Sequence, residues 1–522
     1  MATARQGGLV STQAINASLG IRLRDIFPEA KLINADEVYV RSCCGHWNDC
    51  QQDDLFVAIV DTEQDGHDFT NEAIQLGAAA IVTERLLGTD RPQCIVRDTR
   101  EAYGRICQAL AGKPSQHLTT VGVTGTDGKT VTSHLIRSVF RAAQLKTGLI
   151  SSIEVSCGRQ ESVPSQELNP PRLAEQLSRM VLASCTNAVV EIPSVALAKR
   201  CLAGVGVDVG VITNIRNNHL KFHGSTENYR RAKMRLLKQL KPSGLAVLNA
   251  DDPTTYFLLD QITQPVLTIG MKQQAEVTAR LIERTRSEQT FMIVAGSESI
   301  PVRTTIIGDQ HIYNCLAATA VGLSSGLELS TIARGLEAAG NIPGRLERVE
   351  CGQSYGLWID SARSPGQLAN ALRTIKQVTD GQVWCVCSTD EAQSEIQRRR
   401  IGEVVERSAN KVVITRTTAQ EAVDFEPAHQ ILDGFENPED AHLLPNRFKA
   451  IQWALQNAKP NDAVLVSGCG ERPFALVGED HWTITDRDVC QAWLYDHSAL
   501  ETEARKPNFP STQIFNIDDY RN

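Results

Sequence analysis

A glycine-rich segment, Gly125-Thr126-Asp127-Gly128-Lys129-Thr130, carries the residue types that hold a polyphosphate. In such a turn, backbone N–H groups and the positive end of the next helix point at phosphate oxygens. The Lys129 ammonium would reach the terminal phosphates, and the Thr130 hydroxyl would bind Mg²⁺. Val123 stands where the common P-loop pattern has its first glycine, so the segment has the tighter form Gly-Thr-x-Gly-Lys-Thr. An ordinary strand-to-helix turn is the alternative.

The residues on either side of this segment favour a nucleotide site. The β-branched run at 121–123 predicts a strand, and Leu135, Ile136, Val139 and Phe140 follow at the spacing of an amphipathic helix. A strand, a glycine-rich turn and a helix N-terminus, in this order, are the context that a phosphate-binding motif requires. We therefore predict a nucleotide-binding loop.

Three further residues that could do chemistry lie at predicted strand ends or on a helix. Glu191 lies in the apolar run 188–192, where a carboxylate is costly unless it is paired or bound to a metal. His219 follows the strand pattern at 207–215 and could ligate a metal or orient a phosphate, although a polar surface histidine is the simpler interpretation of that residue alone. Lys233 lies on a helical pattern and, taken alone, would be a solvated lysine.

These residues need a scaffold of alternating strands and helices. A length of 522 residues suggests about three domains. We predict a small mixed α/β domain at 1–115, an α/β domain with the phosphate loop at 116–341, a third α/β unit at 342–502 and a polar tail at 503–522.

The periodicity of apolar residues gives the expected elements of each domain. In the first domain we expect strands at 54–59 and 78–82 and a helix at 69–76. In the second we expect strands at 188–192, 207–215 and 245–248, an antiparallel region at 276–305 and helices within 309–339. In the third we expect strands at 355–361, 382–388, 411–415 and 462–467, and helices at 366–377, 396–409 and 447–458.

Composition narrows the class of protein. The chain has 42% hydrophobic and 22% charged residues, as soluble globular proteins do, and its net charge of −8 argues against nucleic acid as the main partner. It has neither a signal-like N-terminal segment nor an apolar run of 18 or more residues. The 14 cysteines are scattered and form no paired CxxC framework, which favours reduced thiols. We therefore expect a cytoplasmic protein without a membrane partner.

The order of the motifs along the chain resembles that of the Mur ligases, the ATP-dependent amide-forming synthetases of peptidoglycan precursors. The phosphate loop is followed by Glu191, then Thr-Asn-x-x-x-x-His-Leu-x-x-His-Gly at 213–224, Tyr-x-x-Ala-Lys at 229–233, Asn-x-Asp-Asp-Pro at 249–253 and Pro-Gly-Arg-x-Glu at 343–347. The resemblance covers about 45–495 and is strongest to the synthetases that add the third residue of the stem peptide.

The resemblance implies a fold and an activity. The fold would be the α/β three-domain architecture of the family, with an N-terminal UDP-sugar-binding-like domain, a central P-loop parallel-sheet ATPase domain and a C-terminal Rossmann-like domain. The activity would be addition of an amino acid to a UDP-N-acetylmuramoyl peptide in cell-wall synthesis, through an acyl phosphate. The implied partners are the small molecules ATP, UDP-muramoyl peptide and amino acid, with Mg²⁺ as cofactor, and we expect a monomer.

The resemblance also assigns residues, position by position. ATP would contact Gly125, Thr126, Asp127, Gly128, Lys129, Thr130, Asn314, Arg345 and Asp360. Metal ligands would be Thr130, Glu191, His219 and Lys233, the last as a carbamate. Lys233 and His219 would be catalytic, and Ser194 would meet the substrate. We expect the ATP site between the second and third domains, so that Arg345 and Asp360 would meet the phosphates only after closure.

The departures from the family pattern fall mainly on substrate motifs. In the ATP loop, Asp127 stands where the family usually has asparagine. The family's Glu-Val-Ser-Ser-His-Ala-Leu is Glu191-Ile192-Pro193-Ser194-Val195-Ala196-Leu197 here, and its Asp-Ser-Arg is His46-Trp47-Asn48. Its Asp-Asn-Pro-Arg is absent, the nearest stretch being Arg416-Thr417-Thr418-Ala419.

These departures leave other functions open. A catalytically silent ATP-binding paralogue, or a Mur-like ligase with a different carboxylate and amine, would also keep the ATP loop while changing the substrate loops. A folylpolyglutamate-synthetase-like enzyme is a further alternative. About 115 residues precede the phosphate loop, which argues against that alternative, because such enzymes generally start close to their ATP loop.

Overall fold

The structure is a computed structural model that describes residues 20–61, 64–158, 160–164, 167–216, 220–256, 258, 262–390, 393–416, 426–475 and 483–498. It divides into two compact units, Met1–Arg345 and Leu346–Asn522. His219 and the predicted polar tail at 503–522 lie outside the described residues.

The first part of unit one is a small sheet with three helices. The strands are β1 Ile21–Arg22, β2 Lys31–Ile33, β3 Tyr39–Val40, β4 Cys43–Cys44, β5 Leu55–Val57, β6 Ala80–Thr83 and β7 Gln93–Ile95, and the helices are α1 Leu23–Ile26, α2 Thr70–Gln75 and α3 Thr99–Leu110. Five strands form one sheet in the order β2-β7-β6-β5-β4, in which only β2 is antiparallel to its neighbour. Its core contains Leu55, Val57 and Val82, together with Ile106 from α3.

The second part of unit one is built on an eleven-stranded sheet. Its strands are β8 Thr119–Thr124, β9 Thr147–Ile150, β10 Val155–Cys157, β11 Gln160–Ser162, β12 Asn187–Glu191, β13 Val207–Ile212, β14 Leu240–Asn249, β15 Val266–Gly270, β16 Val277–Arg284, β17 Gln289–Ala295 and β18 Glu298–Thr304. Its helices are α4 Lys129–Ala142, α5 Pro170–Leu182, α6 Ser194–Ala198, α7 Leu220–His223, α8 Thr226–Met234, α9 Pro253–Tyr256, α10 Asp309–Ser324 and α11 Leu329–Glu337. The strand order is β11-β10-β9-β12-β8-β13-β14-β15-β16-β17-β18.

The middle of this sheet is parallel and buried on both faces. The neighbouring strands β9-β12-β8-β13-β14-β15-β16 all pair in parallel, and the strands beyond β9 and beyond β16 pair antiparallel. Val121 and Val123 of β8 face a core shared with α4, α10 and α11, while Val190 of β12 belongs to the core on the opposite face. Burial on both faces explains why the strands read as continuous apolar runs. Over the described ranges, no helix is both long enough and apolar enough to cross a bilayer.

The register of the central strands brings three polar strand ends together. β8 lies between β12 and β13, with Val123 opposite Glu191 and Thr124 opposite Ile212. The carboxyl ends of parallel strands meet at one edge of the sheet, which is where open α/β sheets bind ligands. The phosphate loop after β8 therefore lies beside Glu191 and beside the segment that follows β13.

Unit two is a second α/β body with its own core. Its strands are β19 Glu347–Arg348, β20 Gly356–Asp360, β21 Val383–Thr389, β22 Lys411–Arg416, β23 Ala441–Leu443, β24 Ala463–Ser467, β25 Phe474–Ala475 and β26 Thr483–Ile484, and its helices are α12 Pro365–Lys376, α13 Glu395–Ser408, α14 Glu426–Leu432, α15 Arg447–Asn457 and α16 Asp486–Ser498. The main sheet has the order β19-β20-β24-β21-β22-β23 and is parallel except for β19.

A buried ion pair fixes α15 to the start of α16 in unit two. Both Arg447 and Asp486 are almost fully buried, and the guanidinium donates two hydrogen bonds of 2.7 Å to the carboxylate. Arg447 also donates to the carbonyl oxygen of Ser467 at the end of β24, at 3.0 Å. A bidentate pair of this kind holds its elements in one geometry, because losing either partner would leave a buried charge.

The predicted alternation of strands and helices is confirmed in both units, with two informative differences in unit one. The run at 207–215 is a strand only to Ile212, because Thr213 and Asn214 turn to hydrogen-bond the phosphate loop and the Ile215 N–H donates to Asp252. The strand predicted at 245–248 extends over Leu240–Asn249. The division at 115 and at 341 remains a prediction.

The 14 cysteines are all free thiols, and 12 of them are buried. Burial raises the pKa of the Cys94 and Cys201 thiols to about 12, so these groups are protonated and poorly nucleophilic at neutral pH.

Cys44, Cys50 and Asp54 bring three potential metal ligands within 4.8 Å of one another. A structural zinc site uses four ligands, whereas this cluster has three. The Asp54 carboxylate also accepts hydrogen bonds from the Ser42 hydroxyl and the Gln51 N–H, so these groups fit a hydrogen-bonded cluster better than a zinc site.

We predict that Gly335→Ala destabilises unit one by about 1–3 kcal/mol, because a methyl group would overpack the contact between α11 and α4. A Cβ at Gly335 would lie 2.5 Å from the Val139 Cα, and the Ser138 hydroxyl donates to the Gly335 carbonyl oxygen at 2.6 Å. Calorimetric melting of the full chain measures the effect. The control is Gly88→Ala, where a Cβ would meet nothing within 4 Å. Equal melting of both variants would contradict the prediction.

Candidate active site

The phosphate loop needs glycine at two positions for steric reasons. Gly125 and Gly128 have φ angles of +157° and +84°, which side chains rarely allow. A Cβ at Gly125 would lie 1.8 Å from the Thr213 hydroxyl oxygen, and one at Gly128 would lie 2.3 Å from the Asn314 amide oxygen. The loop is therefore closely packed between the segment after β13 and helix α10.

Thr213 and Asn214, which follow β13, hold the phosphate loop by hydrogen bonds to the backbone of the loop. The Thr126 N–H donates to the Asn214 carbonyl oxygen at 2.9 Å, and the Asp127 N–H donates to the Asn214 side-chain oxygen at 3.0 Å. The Asp127 carbonyl oxygen accepts from the Thr213 hydroxyl at 2.6 Å and from the Asn214 amide at 3.1 Å. These four bonds hold the loop in one conformation, as a preorganised anion site requires.

Lys129 lies where the sequence predicted a phosphate-binding cation. It is the first residue of α4, and its ammonium donates to the carbonyl oxygens of Gly125 and Thr126, both at 3.0 Å. A lysine held against the carbonyl groups of a glycine-rich loop, at a helix N-terminus, is placed to pair with phosphate oxygens.

Thr130, Ser152 and Glu191 form a cluster of oxygen donors beside the loop. The Thr130 hydroxyl donates to one Glu191 carboxylate oxygen at 3.1 Å, and the Ser152 N–H donates to the other at 3.0 Å. The hydroxyl oxygens of Thr130 and Ser152 are 3.1 Å apart. Hydroxyl and carboxylate oxygens are ligands that Mg²⁺ takes, so the residues present fit the ion that the sequence predicted.

The sequence did not single out Ser152, although a signal was present. Ser152 follows the buried strand β9, and polar residues that follow parallel strands lie at the ligand-binding edge of the sheet. The Arg345 guanidinium also reaches the Ser152 hydroxyl, at 3.5 Å.

Lys233 is buried to an unusual degree for a lysine. Its side chain is 1% exposed, and the ammonium nitrogen lies 4.7 Å from the ring centre of Tyr229. Burial, and next the charge of Lys129, hold the pKa of Lys233 well below its usual range, and the Asp127 carboxylate partly opposes them. A buried primary amine whose charged form is disfavoured fits conversion to a carbamate, which would replace the cation by an anion.

Ser194 lies at the start of α6 and pairs with a histidine. Its hydroxyl oxygen is 3.1 Å from the Nε2 of His223, whose ring meets the Tyr229 ring edge-on at a centroid distance of 5.2 Å. Burial lowers the pKa of His223, with smaller contributions from Lys233 and Arg235, so the ring favours its neutral form. His223 belongs to the motif at 213–224, but the sequence alone did not assign it a role.

The remaining predicted ATP contacts divide between the two units. Asn314 is buried on α10, where its side-chain oxygen accepts from the Thr132 hydroxyl at 3.3 Å. Arg345 is the last residue of unit one. Asp360 ends β20 in unit two and accepts from the N–H groups of Leu346 and Ala362 at 2.6 and 2.7 Å. Its contact with ATP remains a prediction, as does the metal role of His219, which lies outside the described residues.

Two family models match the chain. Residues 123–322 match the Mur ligase middle domain, and residues 344–470 match the Mur ligase, glutamate ligase domain. The first span contains the phosphate loop, Glu191 and Lys233, so the residues gathered in unit one fall within the family's own central domain.

Curated relatives match over most of their length. The UDP-N-acetylmuramoyl-L-alanyl-D-glutamate–2,6-diaminopimelate ligase of Geobacillus kaustophilus is 34% identical over 451 residues, covering 84% of this chain and 91% of that protein. The ligase of the same name from Bacillus cereus is 32% identical over 475 residues, covering 89% and 94%.

Solved structures share the fold. A UDP-N-acetylmuramoyl-L-alanyl-D-glutamate–2,6-diaminopimelate ligase has a TM-score of 0.66 at 22% identity, covering 92% of this chain and all of that one. A MurF ligase from Thermotoga maritima in complex with ADP has a TM-score of 0.58 at 19% identity, covering 89% and 98%. These likenesses confirm the predicted α/β three-domain architecture. With the matched domains and the relatives above 30% identity, they establish that the chain belongs to the Mur ligase family.

Proposed function

We propose that this chain is an ATP-dependent amide ligase that adds an amino acid to a UDP-N-acetylmuramoyl peptide in peptidoglycan precursor synthesis. The observation that supports its ATP-dependent step is the oxygen cluster of Thr130, Ser152 and Glu191 beside the phosphate loop, and the support for its substrates comes from the curated relatives at 34% and 32% identity. A buried carboxylate next to a polyphosphate loop would repel the nucleotide unless a cation lay between them. The site is therefore built for a nucleotide bound together with a divalent ion.

The reaction divides into two balanced steps. The substrate carboxylate takes the γ-phosphoryl group of ATP, which gives an acyl phosphate and ADP. The amine then attacks the acyl carbon, a C–N bond forms, the C–O bond to phosphate breaks, and one proton leaves the nitrogen. Lys129 and the N–H groups at the start of α4 would hold the phosphates in line, while Thr130 and Glu191 would hold Mg²⁺. When bound, this ion supplies positive charge against the negative charge of the phosphoryl group in transfer.

We also propose that Lys233 is carried as a carbamate. Its neutral amine would attack CO₂, forming a C–N bond and releasing one proton, and the product would be an anion. Support comes from the burial of Lys233 and from its position on α8, where the charges of Lys129 and Asp127 influence its pKa. An anion there would balance Lys129 and contribute to metal binding, whereas a buried ammonium pays a desolvation cost.

The identity of the substrates is the open part of the proposal, and one feature favours a second candidate. At the start of α6, Pro193 and Val195 flank Ser194 in place of the family's serine and histidine. Proline has no N–H to donate and valine has no polar group, so this turn offers a bound substrate fewer hydrogen bonds. A ligase with another carboxylate, or a silent ATP-binding paralogue, would have these features.

We expect ADP release from ATP and Mg²⁺ that depends on both UDP-N-acetylmuramoyl-L-alanyl-D-glutamate and one amino acid, among diaminopimelate, lysine and the others of a panel. Two substrates are required because the acyl phosphate forms on one and is consumed by the other. Lys129→Ala is the control for contaminating activity. Tight ATP binding without release by any pair would favour the silent paralogue.

Glu191→Gln should lower turnover about 100-fold or more while the chain keeps its melting temperature, because the amide has the shape of the carboxylate but not its charge. Raising the Mg²⁺ concentration should restore part of the loss, which a merely structural defect would not allow. Glu161→Gln, on the exposed edge strand β11, is the matched control. Normal turnover of Glu191→Gln would exclude the proposed metal role.

Incubation of the protein in ¹³C-bicarbonate should produce a carbamate carbonyl signal in the ¹³C spectrum that Lys233→Ala lacks. The measurement is independent of catalysis, so it also applies if the substrates remain unidentified. Lys238→Ala, which removes an exposed lysine shortly after α8, controls for exposed lysines. The same signal in wild type and Lys233→Ala would refute the carbamate at this position.

A further inference from the structure

The phosphate loop of this chain contains an acidic residue, Asp127. Asp127 precedes Gly128, the N-cap of α4, and its side chain is only 12% exposed. A carboxylate near a helix N-terminus is stabilised by the helix dipole. The same positive region binds the phosphates of a nucleotide, so the carboxylate and the polyphosphate would repel each other at short range.

A cation from the neighbouring segment lies against this carboxylate. The Arg216 Nη1 is 3.6 Å from the Asp127 Oδ2, within ion-pair distance, and the arginine side chain is 47% exposed. Arg216 occupies one of the variable positions of the motif at 213–224, which the sequence analysis left without a role.

The backbones of the two partners are held together independently of their charges. The Arg216 N–H donates to the Thr126 hydroxyl oxygen at 2.9 Å, and this oxygen is also 2.9 Å from the Tyr229 hydroxyl. The Asp127 backbone is clamped by Asn214, two residues before Arg216. The guanidinium is therefore brought to the carboxylate by fixed backbone, which reduces the entropy cost that weakens most surface ion pairs.

We infer that Arg216 is a positioning residue of the nucleotide site, whose guanidinium offsets the charge of Asp127 and so permits a polyphosphate to bind. The Asp127–Arg216 pair has little net charge toward the nucleotide, and the asparagine that the Mur ligases usually have at position 127 is likewise uncharged. The inference rests on the proposed function, because it assumes that ATP is the ligand of the loop. It assigns to Arg216 an effect on nucleotide affinity that exists only while residue 127 is an anion.

A double-mutant cycle on ATP affinity tests the inference. Isothermal titration with ATP and Mg²⁺ is carried out on the full chain and on Arg216→Ala, Asp127→Asn and the double variant, each checked by melting. We expect Arg216→Ala to weaken binding about tenfold and Asp127→Asn to strengthen it about twofold. In the Asp127→Asn background, Arg216→Ala should cost less than about twofold. The matched control is Arg303→Ala on β18, an exposed arginine whose loss should leave ATP affinity unchanged.

Salt provides a second readout of the same effect. The defect of Arg216→Ala should shrink as ionic strength rises, since screening weakens the repulsion between Asp127 and the phosphates. A structural defect in the loop would persist at high salt.

Each other outcome overturns the inference in a distinct way. Equal losses from Arg216→Ala in both backgrounds would show that Arg216 contacts the nucleotide without regard to Asp127. No loss from Arg216→Ala would show that the pair is immaterial, and loss of ATP binding in Asp127→Asn would make Asp127 a ligand in its own right. If the unsubstituted chain did not bind ATP, the proposed function would fail as well, whereas ATP binding with an additive cycle would refute only the role of Arg216.

Discussion

The parallel pairing of β8 with β12 on one side and β13 on the other is the constraint from which the site follows. A shift of one residue in the first pairing would turn the side chain of Glu191 to the opposite face of the sheet, and a shift in the second would displace Thr213, which follows β13, from the phosphate loop. The apolar runs of the three strands, buried on both faces, hold the register. The free energy that aligns the groups of the candidate site therefore comes from packing some distance from them, and the polar contacts at the strand ends refine the alignment.

Much of the fold could be read from the sequence, because its signals are local. Buried parallel strands are continuous β-branched runs, and α4, α12 and α13 carry clear helical periodicity, with serine caps on the last two. The differences arose where long-range bonds override local propensity. Thr213 and Asn214 look like the end of a strand, but they leave the sheet to bind a loop about 90 residues earlier in the chain.

The site was predictable in its residue types and less so in its contacts. Lys129, Thr130 and Glu191 were identified from motif and strand-end position, and the structure brings Thr130 and Glu191 together. Ser152 was missed because its partner Glu191 is 39 residues away, and only the sheet order reveals that β9 and β12 are neighbours. Asp360 shows a different limit, since its described bonds come from the N–H groups of Leu346 and Ala362 and do not test a role toward ATP.

The dense bonding between the phosphate loop and the segment after β13 has a consequence for how such a protein can be rearranged. The two halves of the nucleotide site are about 90 residues apart in sequence, yet Thr213, Asn214 and Arg216 make hydrogen bonds to Thr126 and Asp127, so an exchange of one half must preserve these bonds and the Asp127–Arg216 pair. A chimera with a junction between β8 and β13 would place one protein's loop against another's clamp. Junctions before β8 or after Arg345 keep both halves from the same parent, and the nucleotide site is in this sense a single inherited module.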